Sequence, residues 1–307
     1  MPLSPVIVKF LSECPPLRFG NIPIQEARAK YSENHKAVNA AAPTYGLTIL
    51  NTEAPTSYGN MPIRLYFPQK YNQCPTLMYF HGGGFVFGDL DSLEISCREL
   101  AHVAQCVVIS VDYPLAPEHP FPAAPEACYE SAIWIAEHLR DWKLNPDRLF
   151  ISGSSAGATL TAAVTQMILD RGGPSLQGQI LLFPMTDADF TTPSYRDYAA
   201  GPIITREQCM YFLSTYCPDP SKLQNPLVCP LYAASLAQLP RALVMTAECD
   251  PLRDSGRAYA KKLTDAGVEC DDLCYEGMVH DFWTLPIDFP EKRDVFNRIK
   301  QFVAPQA

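Results

Sequence analysis

One α/β domain built on a mostly parallel sheet, with helices on both faces, is the architecture that this chain of 307 residues predicts. Short apolar runs alternate with longer helix-period stretches from residue 77 onward, the rhythm of strands joined by crossover helices. One such unit can be followed residue by residue. Leu149-Phe150-Ile151-Ser152 is strand-like, Gly153 breaks it, and 156–169 (AGATLTAAVTQMIL) is rich in the helix formers alanine and leucine. With 47% hydrophobic residues the chain can bury a large core, and a single α/β domain of this length is ordinary.

From the N-terminus, residues 1 to about 45 read as short helices interrupted by prolines. Segments 46–53 and 61–68 form a hairpin around the turn-rich Ser57-Tyr58-Gly59-Asn60. Strands are then expected at 77–80 and 107–111, a helix at 123–140, the strand–glycine–helix unit, further strands at 179–183, 243–247 and 269–275, and a closing helix near 290–302. The stretch from about 186 to 238 interrupts this rhythm. Within it Thr205-Arg206-Glu207-Gln208 spells a capping box ahead of an aromatic-rich helix at 209–216. The sequence contains no internal repeat and no low-complexity tract.

The chemistry starts at Gly153-Ser154-Ser155-Ala156-Gly157, which stands between a strand and a helix, the place of a Gly-x-Ser-x-Gly nucleophile elbow. Two serines compete. Ser155 has glycines two positions to either side, whereas Ser154 would have Ser152 and Ala156, and side chains at those positions crowd so sharp a turn. Ser155 is therefore the expected nucleophile. An elbow on an open α/β sheet takes its partners in the chain order serine, acid, histidine. Of six histidines only His280 follows the elbow, so it is the expected general base. A lone histidine among apolar residues is more often a satisfied core residue; its chain position, in a loop after the last expected strand, favours the base.

The acid must lie between them. Glu248-Cys249-Asp250-Pro251 follows the buried strand expected at 241–247, at the edge where open α/β sheets place their sites. Asp250 is the expected acid. Before Pro251 it also suits an N-cap with proline at N1, and capping and catalysis would compete for the same oxygens. Glu248 and Asp254 are the alternatives, with Asp254 a full turn into the following helix.

His81-Gly82-Gly83-Gly84-Phe85 comes directly after the apolar run 76–80. Three consecutive glycines free the backbone to turn its N–H groups toward one point, as acyl transfer requires where a tetrahedral oxyanion forms. A tight loop or a phosphate cradle is the other reading, but neither Gly-Lys-Ser/Thr nor a spaced G-x-G-x-x-G follows. Gly83, Gly84 and the N–H of Ala156 are the expected oxyanion hole. His81 precedes the serine and is expected to be structural.

Together these segments resemble the hormone-sensitive-lipase-like family of α/β-hydrolases, the carboxylesterase group with an HGGG motif. The likeness runs through most of the chain: His81 to Gly84, Asp112-Tyr113 with Leu115-Ala116-Pro117-Glu118-His119-Pro120-Phe121-Pro122-Ala123, Gly153 to Gly157, Asp250-Pro251-Leu252-Arg253-Asp254, and Gly277 to Phe282. The resemblance implies an α/β-hydrolase fold and a serine carboxylesterase acting on short- to medium-chain acyl esters. It implies Ser155 as nucleophile, His280 as base and acid, Asp250 as the orienting carboxylate, and Gly83, Gly84 and Ala156 as oxyanion donors. It further implies a helical cap over the serine, formed by about 1–45 and 186–238; a surface excursion is the other reading of the latter segment. Plant gibberellin receptors are similar to this family but lack the catalytic histidine, so a non-catalytic small-molecule receptor is the alternative reading, with an amidase on the same triad as a third. The chain departs from the family at Ser154, Pro114 and Asp281, where aspartate, arginine and glycine are common. With serine rather than aspartate at 154, the elbow is expected to carry less negative charge beside the base.

Composition sets outer limits. A net charge of −9 without a basic run argues against nucleic acid and anionic membrane surfaces as partners. Eleven cysteines with no C-x-x-C pair read as reduced thiols in a cytoplasmic protein, and Cys270 and Cys274 read as packing residues on one strand face. The N-terminal MPLSPVIVKFLSECPP lacks a basic n-region and is broken by Lys9, unlike a signal peptide. No run reaches the length of a membrane span. Neither HExxH nor a close His/Cys cluster is present, so no metal and no cofactor is called for. The expected partner is a small-molecule ester; a homodimer is compatible with the sequence.

Overall fold

A computed structural model describes residues 2–16, 22–40, 43–72 and 74–305; the parts of the expected N-terminal cap at 1, 17–21 and 41–42 lie outside the described residues. Two N-terminal helices, α1 (Pro5–Glu13) and α2 (Ile24–Ala40), precede the hairpin β1 (Thr48–Thr56) and β2 (Gly59–Phe67). The α/β alternation follows: β3 (Thr76–Phe80), α3 (Glu94–Ala104), β4 (Val107–Val111), α4 (Ala123–His138), β5 (Leu149–Ser154), α5 (Ala156–Arg171) and β6 (Gly178–Leu182). After the inserted helices α6 (Pro193–Asp197) and α7 (Arg206–Tyr216) come β7 (Ala242–Cys249), α8 (Arg253–Asp265), β8 (Cys270–Val279) and α9 (Pro290–Val303).

The strands form one sheet in the order β1-β2-β4-β3-β5-β6-β7-β8. β1, β2 and β4 pair antiparallel, and β4 through β8 run parallel. Every residue of β3 to β7 is buried, as strands covered on both faces must be. The pleat sorts their side chains by period two: Met78 and Phe80 join the core under α4 and α5, while Leu77 and Tyr79 join the core under α3 and α9. α8 closes the first face at the far end, where Tyr259, Ala260 and Leu263 pack on Leu181 and Val244.

Chain direction within the sheet places the site. From β3 the chain crosses by α3 to β4 on one side, then returns by α4 to β5 on the other side of β3. The crevice beyond the C-terminal ends of β3 and β5 is thus the topological switch point, where open α/β sheets bind ligands. The glycine run leaves β3 there and the serine elbow leaves β5 there.

Candidate active site

Ser155 sits at φ 55°, ψ −119°, a left-handed conformation forced by the strand-to-helix turn. The turn is tight enough to exclude side chains on either flank. A Cβ on Gly153 would lie 2.2 Å from Gly157 O, and one on Gly157 would lie 2.0 Å from Phe80 O. That steric demand is what singled out Ser155 over Ser154 in the sequence.

His280 follows β8 and Asp250 follows the neighbouring β7, so the C-terminal ends of these two strands carry both residues toward Ser155 at the end of β5. His280 Nε2 lies 2.9 Å from Ser155 Oγ, and His280 Nδ1 lies 2.7 Å from Asp250 Oδ2. A carboxylate only accepts, so the imidazole proton is on Nδ1, and the Nε2 lone pair faces the serine hydroxyl. Asp250 is fully buried, and Ser155 and His280 are each 6% exposed.

Asp250 does not have to choose between capping and orienting the histidine. Its Oδ1 accepts from Leu252 N at 2.9 Å while Oδ2 faces the imidazole, so each oxygen has one task. The alternatives point elsewhere. Glu248 Oε2 accepts from Gly277 N at 2.8 Å, and Asp254 pairs with Arg253 at 2.8 Å and accepts from Ser194 N at 2.8 Å.

The glycine loop lies against the serine: a Cβ on Gly82 would come 3.5 Å from Ser155 Cβ. Gly83 and Gly84 have φ of +119° and +63°, and a Cβ on Gly84 would stand 2.4 Å from the Phe212 ring. Only glycine meets both demands. Ala156 is the first residue of α5, where a helix leaves its N–H groups without partners inside the helix. His81 is buried, stacked on Tyr113 with ring centroids 4.2 Å apart, and its Nδ1 donates to Gly82 O at 2.7 Å. Burial pushes its imidazole down to about 4, against a smaller opposing pull from the Gly82 carbonyl and Asp89. It is a neutral brace of the glycine loop.

Two elements of the expected cap touch that loop. On α7, which the Thr205–Gln208 capping box starts in both its hydrogen bonds, Phe212 abuts Gly84 and meets Phe87 edge-on at 5.9 Å. From α2, Arg28 donates to Val86 O and Ala116 O at 2.7 Å each and pairs with Glu118 at 2.9 Å.

One feature was missed in the sequence. Ser154 Oγ donates to Asp281 Oδ1, Trp283 Nε1 donates to the same oxygen at 3.3 Å, and Asp281 Oδ2 lies 3.7 Å from His280 Nε2. The expectation that serine at 154 leaves the elbow short of negative charge is therefore corrected: a carboxylate occupies that spot, delivered by residue 281. Burial pushes the Asp281 carboxyl up, while His280 and the Ser154 hydroxyl pull it back toward the charged form. On His280 burial acts downward, but the charges of Asp250 and Asp281 outweigh it and raise the imidazole to about 9.

Comparison with known proteins bears on the fold and on the class of reaction. Residues 77–284 match a family model described as the alpha/beta hydrolase fold. The carboxylesterase NlhH of Mycobacterium tuberculosis is 36% identical over 243 residues, 78% of this chain and 76% of its own. An arylesterase of Saccharolobus solfataricus is 36% identical over 227 residues, 74% of each chain. The solved hyperthermophilic esterase of Pyrobaculum calidifontis superposes with a TM-score of 0.91 at 32% identity, covering 99% of this chain and 98% of that one. The chain belongs to the α/β-hydrolase fold family, and within it to the carboxylic ester hydrolases.

Proposed function

We propose that the chain hydrolyses short- to medium-chain acyl esters of small alcohols by a serine mechanism, and that Ser155, His280 and Asp250 form its triad. The hydrogen-bonded line from Ser155 Oγ through His280 to Asp250, at 2.9 and 2.7 Å, carries this reading. Ser155 Oγ attacks the ester carbonyl as Nε2 takes its proton, and Asp250 stabilises the imidazolium. The carbonyl oxygen, now negative, is received by the N–H groups of Gly83, Gly84 and Ala156. The imidazolium then protonates the departing alcohol. Water, deprotonated by the same nitrogen, releases the acyl group and restores the serine.

The limit on substrate size is supported by the roof. α2 and α7 serve as the cap, and beside the glycine loop lies a cavity of about 80 Å³ lined by Tyr31, His35, Gly82, Gly83, Leu93 and Asp281. That is room for roughly half a dozen water-sized spheres, which suits a short chain and not a long one. All eleven cysteines are free thiols, in keeping with a reducing, cytoplasmic setting. Among the described residues no helix is long and apolar enough to cross a membrane.

A fluorophosphonate label followed by peptide mapping, with hydrolysis measured over a ladder of p-nitrophenyl esters, tests the proposal. The label is expected on Ser155 and the rate is expected to fall as the acyl chain lengthens. Ester hydrolysis with Ser155 unlabelled would overturn the mechanism. Absence of hydrolysis with tight binding of a small ligand would instead make the chain a receptor on this scaffold.

A further inference from the structure

We propose that Asp281 is a positioning residue for the base: held by Ser154 and Trp283, its carboxylate faces the Nε2 edge of His280 and stabilises the imidazolium that forms when Ser155 gives up its proton. The inference rests on the serine-hydrolase reading above and deepens it.

The geometry separates two kinds of help. Asp250 accepts from Nδ1 at 2.7 Å, a hydrogen bond that fixes ring orientation and tautomer. Asp281 Oδ2 is 3.7 Å from Nε2, too far to hydrogen-bond, so it leaves the Nε2 lone pair to the serine and acts through charge alone. Its other oxygen is tied down. Ser154 Oγ and Trp283 Nε1 both donate to Oδ1, and Trp283 is completely buried. A Cβ on Gly82 would be 3.3 Å from Asp281 Oδ2, so the glycine loop closes the carboxylate in from the other side.

Among the described residues, the other carboxylate against the imidazole is Asp250, which serves the opposite ring nitrogen. The titratable groups that face Asp281 are His280 on its own turn, Tyr79 from β3, and Tyr31 and His35 across the cavity from α2. Burial, with the Asp281 charge adding to it, pushes both phenols up, so they stay neutral. His280 in turn faces Asp250, Ser155 and the edge of the Phe183 ring at 6.0 Å. The imidazole therefore sits between two carboxylates, one on each nitrogen. Protonation is favoured, which helps Ser155 lose its proton but postpones the neutral, active imidazole to higher pH.

The test is the pH profile of kcat/KM on p-nitrophenyl acetate for the parent, Asp281→Asn and Ser154→Ala. Asp281 sits at φ 53°, a conformation that asparagine and glycine accept, so Asp281→Gly provides a second variant with the same readout. In both Asp281 variants the acidic limb is expected to move to lower pH by about one unit, an opposite charge at this range being removed, and kcat on the plateau to fall roughly tenfold. Ser154→Ala keeps the carboxylate and should move the limb by much less. An unmoved limb, or one moved upward, in variants whose serine still takes a fluorophosphonate overturns the proposal. So does failure of both Asp281 variants to fold, which would make the carboxylate a structural tie. A parent whose Ser155 takes no label would instead sink the underlying serine mechanism.

Discussion

Asp250→Asn puts one acceptor oxygen where the structure uses two. Asp250 Oδ1 accepts from Leu252 N at 2.9 Å and Oδ2 from His280 Nδ1 at 2.7 Å, whereas an asparagine offers one oxygen and one NH₂. If the oxygen stays with Leu252, the NH₂ meets the Nδ1 proton; the imidazole must move that proton to Nε2, and Nε2 can no longer accept from Ser155. If the amide turns over, Leu252 N–H loses its partner in a buried site, at a cost of about 1–3 kcal/mol. The first arrangement avoids that cost and is the expected one. A wrong tautomer without the anion costs on the order of ten-thousandfold in kcat, which corresponds to about 5.5 kcal/mol of barrier. The assay is kcat on p-nitrophenyl acetate with a thermal melt alongside. Turnover should collapse while the melting temperature stays within about 4 °C of the parent, the shift that about 1 kcal/mol produces in a domain of this class. Turnover within tenfold of the parent would refute the assignment of Asp250 and pass the role to Glu248 or Asp254.

Ser155→Ala should lower kcat by on the order of a millionfold, with Ser154→Ala far milder; a fluorophosphonate adduct mapped to Ser154 would reverse the two. Gly84→Ala places a Cβ 2.4 Å from the Phe212 ring at φ +63°, so the loop must shift, and a displacement of about 1 Å is expected to cost roughly a hundredfold in kcat. Gly172→Ala, at φ +85° with nothing within 4 Å of the added atom, is the control for backbone strain alone and should leave kcat unchanged. Because the proposed mechanism draws on side chains and backbone N–H groups only, EDTA should leave the rate as it is; loss of activity that zinc restores would overturn it.

Periodicity and order made most of the fold legible. Strand 107–111 matches β4 end to end, and the expected hairpin, elbow unit and closing helix lie within a few residues of β1, β2, β5, α5 and α9. The elements that escaped notice have local reasons. α3 begins at Leu93 without a side-chain cap, so although its buried apolar residues Cys97, Leu100, Ala101 and Ala104 keep helical spacing, no start signal marks it in the sequence. The last strand runs on to Val279, beyond the expected 275, across the glycine at 277 whose φ is +66°. Glycine at a positive φ reads as an end in sequence, and here it is a register shift within pairing.

At the site, the residues that chain order and steric demand select were readable one at a time, because each test uses only a residue and its near neighbours. Asp281 could not be found that way. Ser154 and Asp281 look like two separate departures, 127 positions apart, and only the turn after β8 brings them into contact. That turn is held by the chain itself: Thr284 donates to Asp281 O through N at 3.0 Å and through Oγ1 at 2.9 Å, and the buried Phe282 and Trp283 anchor it in the core under α3 and α9. Because Asp281 is adjacent to His280 on this anchored turn, the imidazole and the carboxylate beside it are positioned together. Asp250 reaches the imidazole from a different loop, so its distance to His280 depends on how β7 and β8 pair. A carboxylate at 154 would belong to the elbow and would hold its distance to Ser155; placed at 281, it holds its distance to His280, where the proposed mechanism puts the imidazolium charge.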